Sequence, residues 1–183
     1  MENDLVYAVA TLCDKEAILD FILTYFRVEE PSSRAVSLGR AEASSIYSAI
    51  VDEALQAPVS VVVRNSAGSI IAVRLSHLLN LAQLRRRPRA LETYAELGEG
   101  MRAIMLLLQR LEAGMEDLAP LHSCQCLLQF LIISVHPDYY RQGIAKRMVE
   151  LSMAWGRAQG ASHVVTTVTS QLSLVEAELM ADR

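Results

Sequence analysis

The stretch Ser134 to Met153, "SVHPDYYRQGIAKRMVELSM", decides how this chain is read. Leu127 to Val135, just before it, is almost wholly apolar and rich in Ile and Leu, the pattern of a strand buried on both faces. After it, Ile144, Met148, Leu151 and Trp155 recur at steps of four, three and four, which lays one apolar stripe along a helix that Gly160 stops. His-Pro-Asp and two tyrosines fill the gap. The stretch therefore predicts strand, short loop and helix, with Gly143 at the helix entrance. The first amides of a helix have no partner within it and sit at the positive end of its dipole. With Gly143 and the small Ala145 there, backbone can approach a ligand closely, and the ligand that suits it is an anion such as phosphate. An ordinary strand-to-helix turn explains a lone glycine equally well.

A chain of 183 residues that is 52% apolar and 21% charged fits one globular domain, 1–183. Its net charge of −4 gives no electrostatic reason to expect nucleic acid. The one basic run, Arg85 to Arg89 around Pro88, reads as a solvated, mobile connection, with a coenzyme phosphate or an acidic partner as the alternative. Three cysteines, no leader-like N-terminus and no apolar run of membrane length predict a reduced, soluble, cytoplasmic protein, with no membrane partner. Cys124 and Cys126 share a strand face, but no further Cys or His pair completes a metal site, so no metal is expected.

Outward from the decisive stretch, Leu5 to Thr11 reads as a first strand. Asp14 is expected to cap a helix with the stripe Ile18, Phe21, Ile22 and Tyr25, and a polar loop around Pro31 leads to a second helix, Glu42 to Leu55. Val59 to Val63 and a strand from Ile70 flank Asn65-Ser66-Ala67-Gly68 as a hairpin. Helical spacing runs from Tyr94 to Glu112, weakened by Gly98 and Gly100. A strand at His163 to Val168 and a helix at Leu172 to Met180 follow. The fold class is α/β, a mixed central sheet flanked by helices.

In this order, Tyr140-Arg141-Gln142-Gly143-Ile144-Ala145 resembles the acetyl-CoA motif Gln/Arg-x-x-Gly-x-Gly/Ala of the GCN5-related N-acetyltransferase (GNAT) fold, an acyl-CoA N-acyltransferase architecture. Tyr140 departs from it; Gly143, Ala145 and the lead-in Ile133-Ser134-Val135 match. Phe26, Glu29, Glu30 and Pro31 resemble the Phe-x-x-Asp/Glu-Glu-Pro sequence of invertebrate arylalkylamine N-acetyltransferases, without which Glu29-Glu30 reads as a solvated acidic loop. The resemblance also implies two C-terminal strands that this sequence lacks.

It implies acetyl-CoA as co-substrate, a small aromatic amine such as serotonin, dopamine, octopamine or tyramine as acceptor, and direct transfer. The coenzyme's pyrophosphate would lie on Arg141, Gln142, Gly143, Ile144, Ala145 and Lys146, and its pantetheine arm along Ile133, Ser134 and Val135. Glu30 would be the base, acting through water or with a pKa raised by burial. Ser173 would return a proton to the thiolate, with Ser170 capping the last helix. A peptide or polyamine acceptor, or a coenzyme-A-binding regulator with little turnover because of the short C-terminus, are the other readings. Oligomeric state is not legible. Among the histidines, none finds a partner in sequence, and His136 reads as a turn residue.

Overall fold

The structure, a computed structural model, describes residues 4–80, 97–112 and 125–167. The expected strand β1 spans Val6–Val9. Helix α1 spans Lys15–Phe21 and widens into a π-helical turn over Ile22–Phe26. A single helical turn, α2, covers Arg27–Glu29, and a short helix, α3, covers Pro31–Ala35. Helix α4, Arg40–Ala54, begins two residues before the expected Glu42. Strands β2, Val61–Arg64, and β3, Ile70–Asn80, make the expected hairpin. Its turn is closed by Asn65, whose side-chain oxygen accepts from the amides of Ala67 and Ser69, with Gly68 at φ 80°.

Helix α5 spans Glu99–Glu112, strand β4 Cys126–Val135, helix α6 Ile144–Ala158 and strand β5 His163–Thr166. The five strands stand in sequence order, antiparallel from β1 to β4, with β5 parallel to β4. This is the expected mixed sheet. The arginine run, Cys124, Ser170, Ser173 and the helix expected at Leu172 to Met180 lie outside the described residues.

Helices cover both faces. On one, Ile18, Phe21 and Ile22 of the α1 segment, Val51 of α4 and Met101 of α5 pack on Val62, Val73, Leu75 and Ile132. On the other, Ile144 and Met148 of α6 meet Val61, Val63 and Ala72, while Val149 meets Leu128 and Phe130. Gly156 lets α6 lie close to the sheet: a Cβ built there would come 2.8 Å from Leu128 Cδ2. The buried polar side chains of Ser152 and Arg74 are tied in. Ser152 Oγ donates to Val59 O at 2.6 Å, and the Arg74 guanidinium stacks 3.6 Å from the Phe130 ring centre.

Two local details differ from the sequence reading. The side chain of Asp14 does not cap α1; it turns back to accept from the Thr11 amide and hydroxyl, both at 2.8 Å, and its other oxygen pairs with Arg64 at 2.6 Å. His77, expected to be without a partner, is buried with Nδ1 3.2 Å from Glu53 Oε1.

Strand β4 carries the irregularity that shapes the site. Leu75 is opposite Ile132 but Ser76 is opposite Phe130, so Leu131 is an extra residue, a β-bulge. Leu128 and Phe130 face α6; beyond the bulge Ile132 faces α1 and α4, and Ile133 and Val135 face α6. Among the described residues, pairing with β5 stops at Phe130–Thr166. Ile132 to Val135 go on paired to β3 alone, so β4 and β5 part at the bulge.

Candidate active site

Beyond β4 the chain enters the predicted loop. His136 Nδ1 accepts from the Asp138 amide at 3.2 Å and so caps the single turn Pro137–Tyr139. Arg141 and Gly143 both take positive φ, 61° and 74°. Such a φ is uncommon for a residue with a Cβ and open to glycine. It turns the loop sharply and starts α6, 15 residues long, at Ile144. No side chain caps this helix, and its first intrahelical bond runs from Arg147 N to Gly143 O at 3.0 Å. The amides of Ile144, Ala145 and Lys146 precede that bond, at the positive end of the dipole. A Cβ built on Gly143 meets no atom within 4 Å, so the constraint on this position is its backbone angle. Arg141 is exposed and Lys146 lies on the first turn of α6. The groups expected to hold a pyrophosphate are thus brought together at one helix entrance, with Ile133 to Val135 leading into it.

The acidic pair reaches the same region through the α1 segment. A π-helical turn adds a residue to a helical circuit and recurs where a side chain must be re-aimed. Here it precedes α2, and Tyr25 within it sets its ring 4.6 Å from His136, edge to face. His136 in turn meets Tyr139 at 5.9 Å, and Tyr139 Oη is 3.3 Å from Asn65 Nδ2. His136 is therefore part of the packing between the acidic segment and the motif loop, more than the turn residue the sequence suggested.

Glu30 separates α2 from α3. Its backbone leaves the helical region, with ψ 125°, and its side chain caps α3. Oε2 accepts from the Ser33 amide and the Ser32 hydroxyl, both at 2.6 Å. The residue is 8% exposed, and Oε1 is buried with no hydrogen-bond partner. Burial would push its carboxyl up, but the hydrogen bonds from Ser32 and Ser33 together outweigh burial and hold it below the ordinary value. The expectation of a pKa raised by burial is thus reversed. Ser33 also meets Tyr47 Oη at 3.2 Å; burial raises the Tyr47 pKa, and the Glu30 charge adds to the rise. The sequence reading passed over Ser32 and Ser33; the one local signal there is Pro31 at the first position of α3.

Glu29, beside it, is exposed and accepts a hydrogen bond from the Tyr140 hydroxyl. Glu29 and the motif loop are thus in direct contact. No local signal could have paired residues 111 apart in the chain. Among the described residues no group of three or more His, Cys, Asp or Glu side chains is placed to hold a metal ion, and no helix is long and apolar enough to cross a membrane.

A family model described as "Acetyltransferase (GNAT) family" matches residues 128–176, from β4 through the loop and α6 and beyond β5. No curated protein matches the chain by sequence. Among solved structures, the Drosophila melanogaster polyamine N-acetyltransferase that forms N-acetylagmatine superposes at TM-score 0.79 with 18% identity, over 97% of this chain and 82% of that one. Arylalkylamine N-acetyltransferase 2 from Aedes aegypti superposes at 0.77 with 18% identity and the same coverage. The C-terminal condensation domain of Ebony, in complex with β-alanyl-dopamine, reaches 0.75 with 16% identity, again over 97% and 82%. These likenesses show the fold. Because a condensation domain shares it, the family match over the motif, and not the shape alone, bears on the acyl donor.

Proposed function

We propose, for a chain that has the GNAT fold and carries GNAT acetyltransferase sequence over residues 128–176, direct transfer of acetyl from acetyl-CoA to a small aromatic amine. The observation that carries this reading is the bulged strand β4 leaving β5 and running into a left-handed Gly143 at the mouth of α6. The uncapped amides of Ile144, Ala145 and Lys146 suit the pyrophosphate, with Arg141 and Lys146 adding charge. The backbone of Ile133, Ser134 and Val135, which lies past the end of the β5 ladder, suits the pantetheine arm, much as a sheet edge takes an added strand.

The acceptor arrives as an ammonium with a pKa near 10. Glu30, held low by its serine donors, binds a proton too weakly to keep one at neutral pH. Its role is to attract the cation and pass its proton on through water, for which the buried, unpartnered Oε1 is the acceptor. The amine's lone pair attacks the thioester carbonyl to form the C–N bond, the C–S bond breaks, and the thiolate takes up a proton while the new amide nitrogen sheds its extra one, which makes good the donor's loss. Ser173 remains the proposed donor to the thiolate.

A polyamine acceptor is the second reading, favoured by the exposed Glu29 carboxylate beside Glu30, since two carboxylates suit two cations. Thiol release from acetyl-CoA against tyramine, dopamine, octopamine and serotonin on one side and agmatine and spermidine on the other tests both. Higher kcat/KM for the aromatic amines upholds the first reading, and the reverse ranking the second. Coenzyme binding without thiol release for any amine would overturn both in favour of a coenzyme-binding regulator.

A further inference from the structure

Tyr140 and Glu29 link the two halves of the candidate site. Tyr140 is the last residue before the Arg141–Gly143 turn, and Glu29 ends α2 next to Glu30. Tyr140 is 45% exposed, yet its hydroxyl donates to the Glu29 carboxylate. A hydrogen bond to an ionised acceptor is about twice as strong as one between neutral groups. Burial, and then the bond to Glu29, push the Tyr140 pKa up to about 12, so the hydroxyl keeps its proton through the neutral range. A second tie runs beside the first, from Tyr25 to His136 at the start of the same loop. The loop is thus fastened at two points, His136 and Tyr140, to the continuous stretch from Tyr25 to Glu29.

Resting on the acetyl-transfer reading, we propose that Tyr140 is a positioning residue for the acceptor side: it holds Glu29 and so fixes the Glu29–Glu30 turn against the loop that grips the coenzyme. The turn needs an outside support. It lies between α2, three residues long, and α3, five residues long, and helices this short do not hold themselves. Ser32 and Ser33 fix the Glu30 carboxylate within its own segment, and Ser33 meets Tyr47 of α4, but none of these contacts reaches the coenzyme loop. Where that segment stands relative to the coenzyme loop is set by contacts between the two, and among the described residues Tyr140 supplies a polar one. The pyrophosphate groups proposed above are backbone amides and cations, so loss of the tyrosine hydroxyl acts on the amine and spares the coenzyme.

The test is Tyr140→Phe in the full chain, with two readouts. Amide exchange over residues 27–35 is expected to speed up, and kcat/KM for the preferred amine to fall about 5- to 10-fold, the size of a partly exposed hydrogen bond to a carboxylate. Affinity for acetyl-CoA should stay within about twofold of wild type by the same reasoning. Tyr140→Arg, which can pair with Glu29 through its guanidinium, should recover most of the loss. Unchanged exchange over 27–35 in folded Tyr140→Phe would overturn the proposal. So would a Tyr140→Arg variant no better than Tyr140→Phe, or a loss confined to acetyl-CoA affinity. If the wild type acetylates no amine, the functional reading falls, and the exchange comparison still decides whether Tyr140 holds the turn.

Discussion

Glu30 combines two jobs that usually conflict. As the cap of α3 it must remain an ionised acceptor, and as a proton relay it must take a proton briefly. The two oxygens divide them: Oε2 is committed to Ser32 and Ser33, while Oε1 is buried and unpartnered. Glu30→Gln keeps an acceptor for the cap and removes the relay. Turnover should fall on the order of 10²–10⁴ while acetyl-CoA affinity holds; equal turnover in initial-rate assays would place the relay elsewhere. Gly143 sits at the other half of the site. Glu there forces a Cβ into left-handed backbone, at a cost of about 1–2 kcal/mol, and sets a negative charge beside the proposed phosphate amides. Calorimetric titration of Gly143→Glu should show no acetyl-CoA binding, whereas Gly143→Ala should bind with a modest loss of stability.

Among the elements, α6 shows how tightly helix and sheet are fitted. Gly156→Ala gains about 1 kcal/mol of helix propensity, but its Cβ would meet the Leu128 side chain at 2.8 Å. Leu128 is 1% exposed and has no room to yield. Overpacking of about 1–3 kcal/mol should win, so the variant should melt lower in a thermal scan. The same element was legible in the sequence, because its stripe at steps of four and three and the glycines at both ends are local signals. The hairpin was legible for the same reason, through Asn65 and Gly68. Local signals stop there. Helix α3 hides in Pro-Ser-Ser because its cap is a glutamate, and the π-helical turn at Ile22–Phe26 leaves the apolar stripe unchanged. The bulge at Leu131 lies in a run of apolar residues with no alternation to break. Glycines 98 and 100 read as weak helix but serve as space. A Cβ at Gly98 would lie 2.3 Å from Glu42 Oε1, the oxygen that accepts from the Met101 amide and anchors the start of α5 to α4.

Over the whole molecule, carboxylates tie distant parts of the chain. Asp14 joins the start of α1 to β2 through Arg64, and Glu30 anchors α3. For Asp14 too, burial would raise the carboxyl, but bonds from Thr11 and Arg64 prevail and lower it. A folded-state pKa below the unfolded one contributes stability that is present above the unfolded value and is lost as pH falls through the folded one. Urea midpoints should therefore hold from neutral pH down to about 4 and then drop. Asp14→Asn and Glu30→Gln should each flatten the drop; an unchanged profile in both would mean that other groups govern acid unfolding.

Leu131 gives β4 a change of phase. Up to Phe130 the strand keeps step with β3, β5 and the middle of α6; after it, with β3 alone and the first half of α6. Each half obeys a strict in-and-out rhythm, and the extra residue is the missed beat that lets one strand serve two partners. Removing Leu131 would restore an unbroken ladder, and Ile132 to Val135 would keep their faces, because Ile132 would then follow Phe130 in ordinary alternation. What would go is the extra twist and bend of the bulge, at the point where β4 leaves β5. The more regular sheet would lose the parting of β4 from β5 in which the coenzyme arm is proposed to lie.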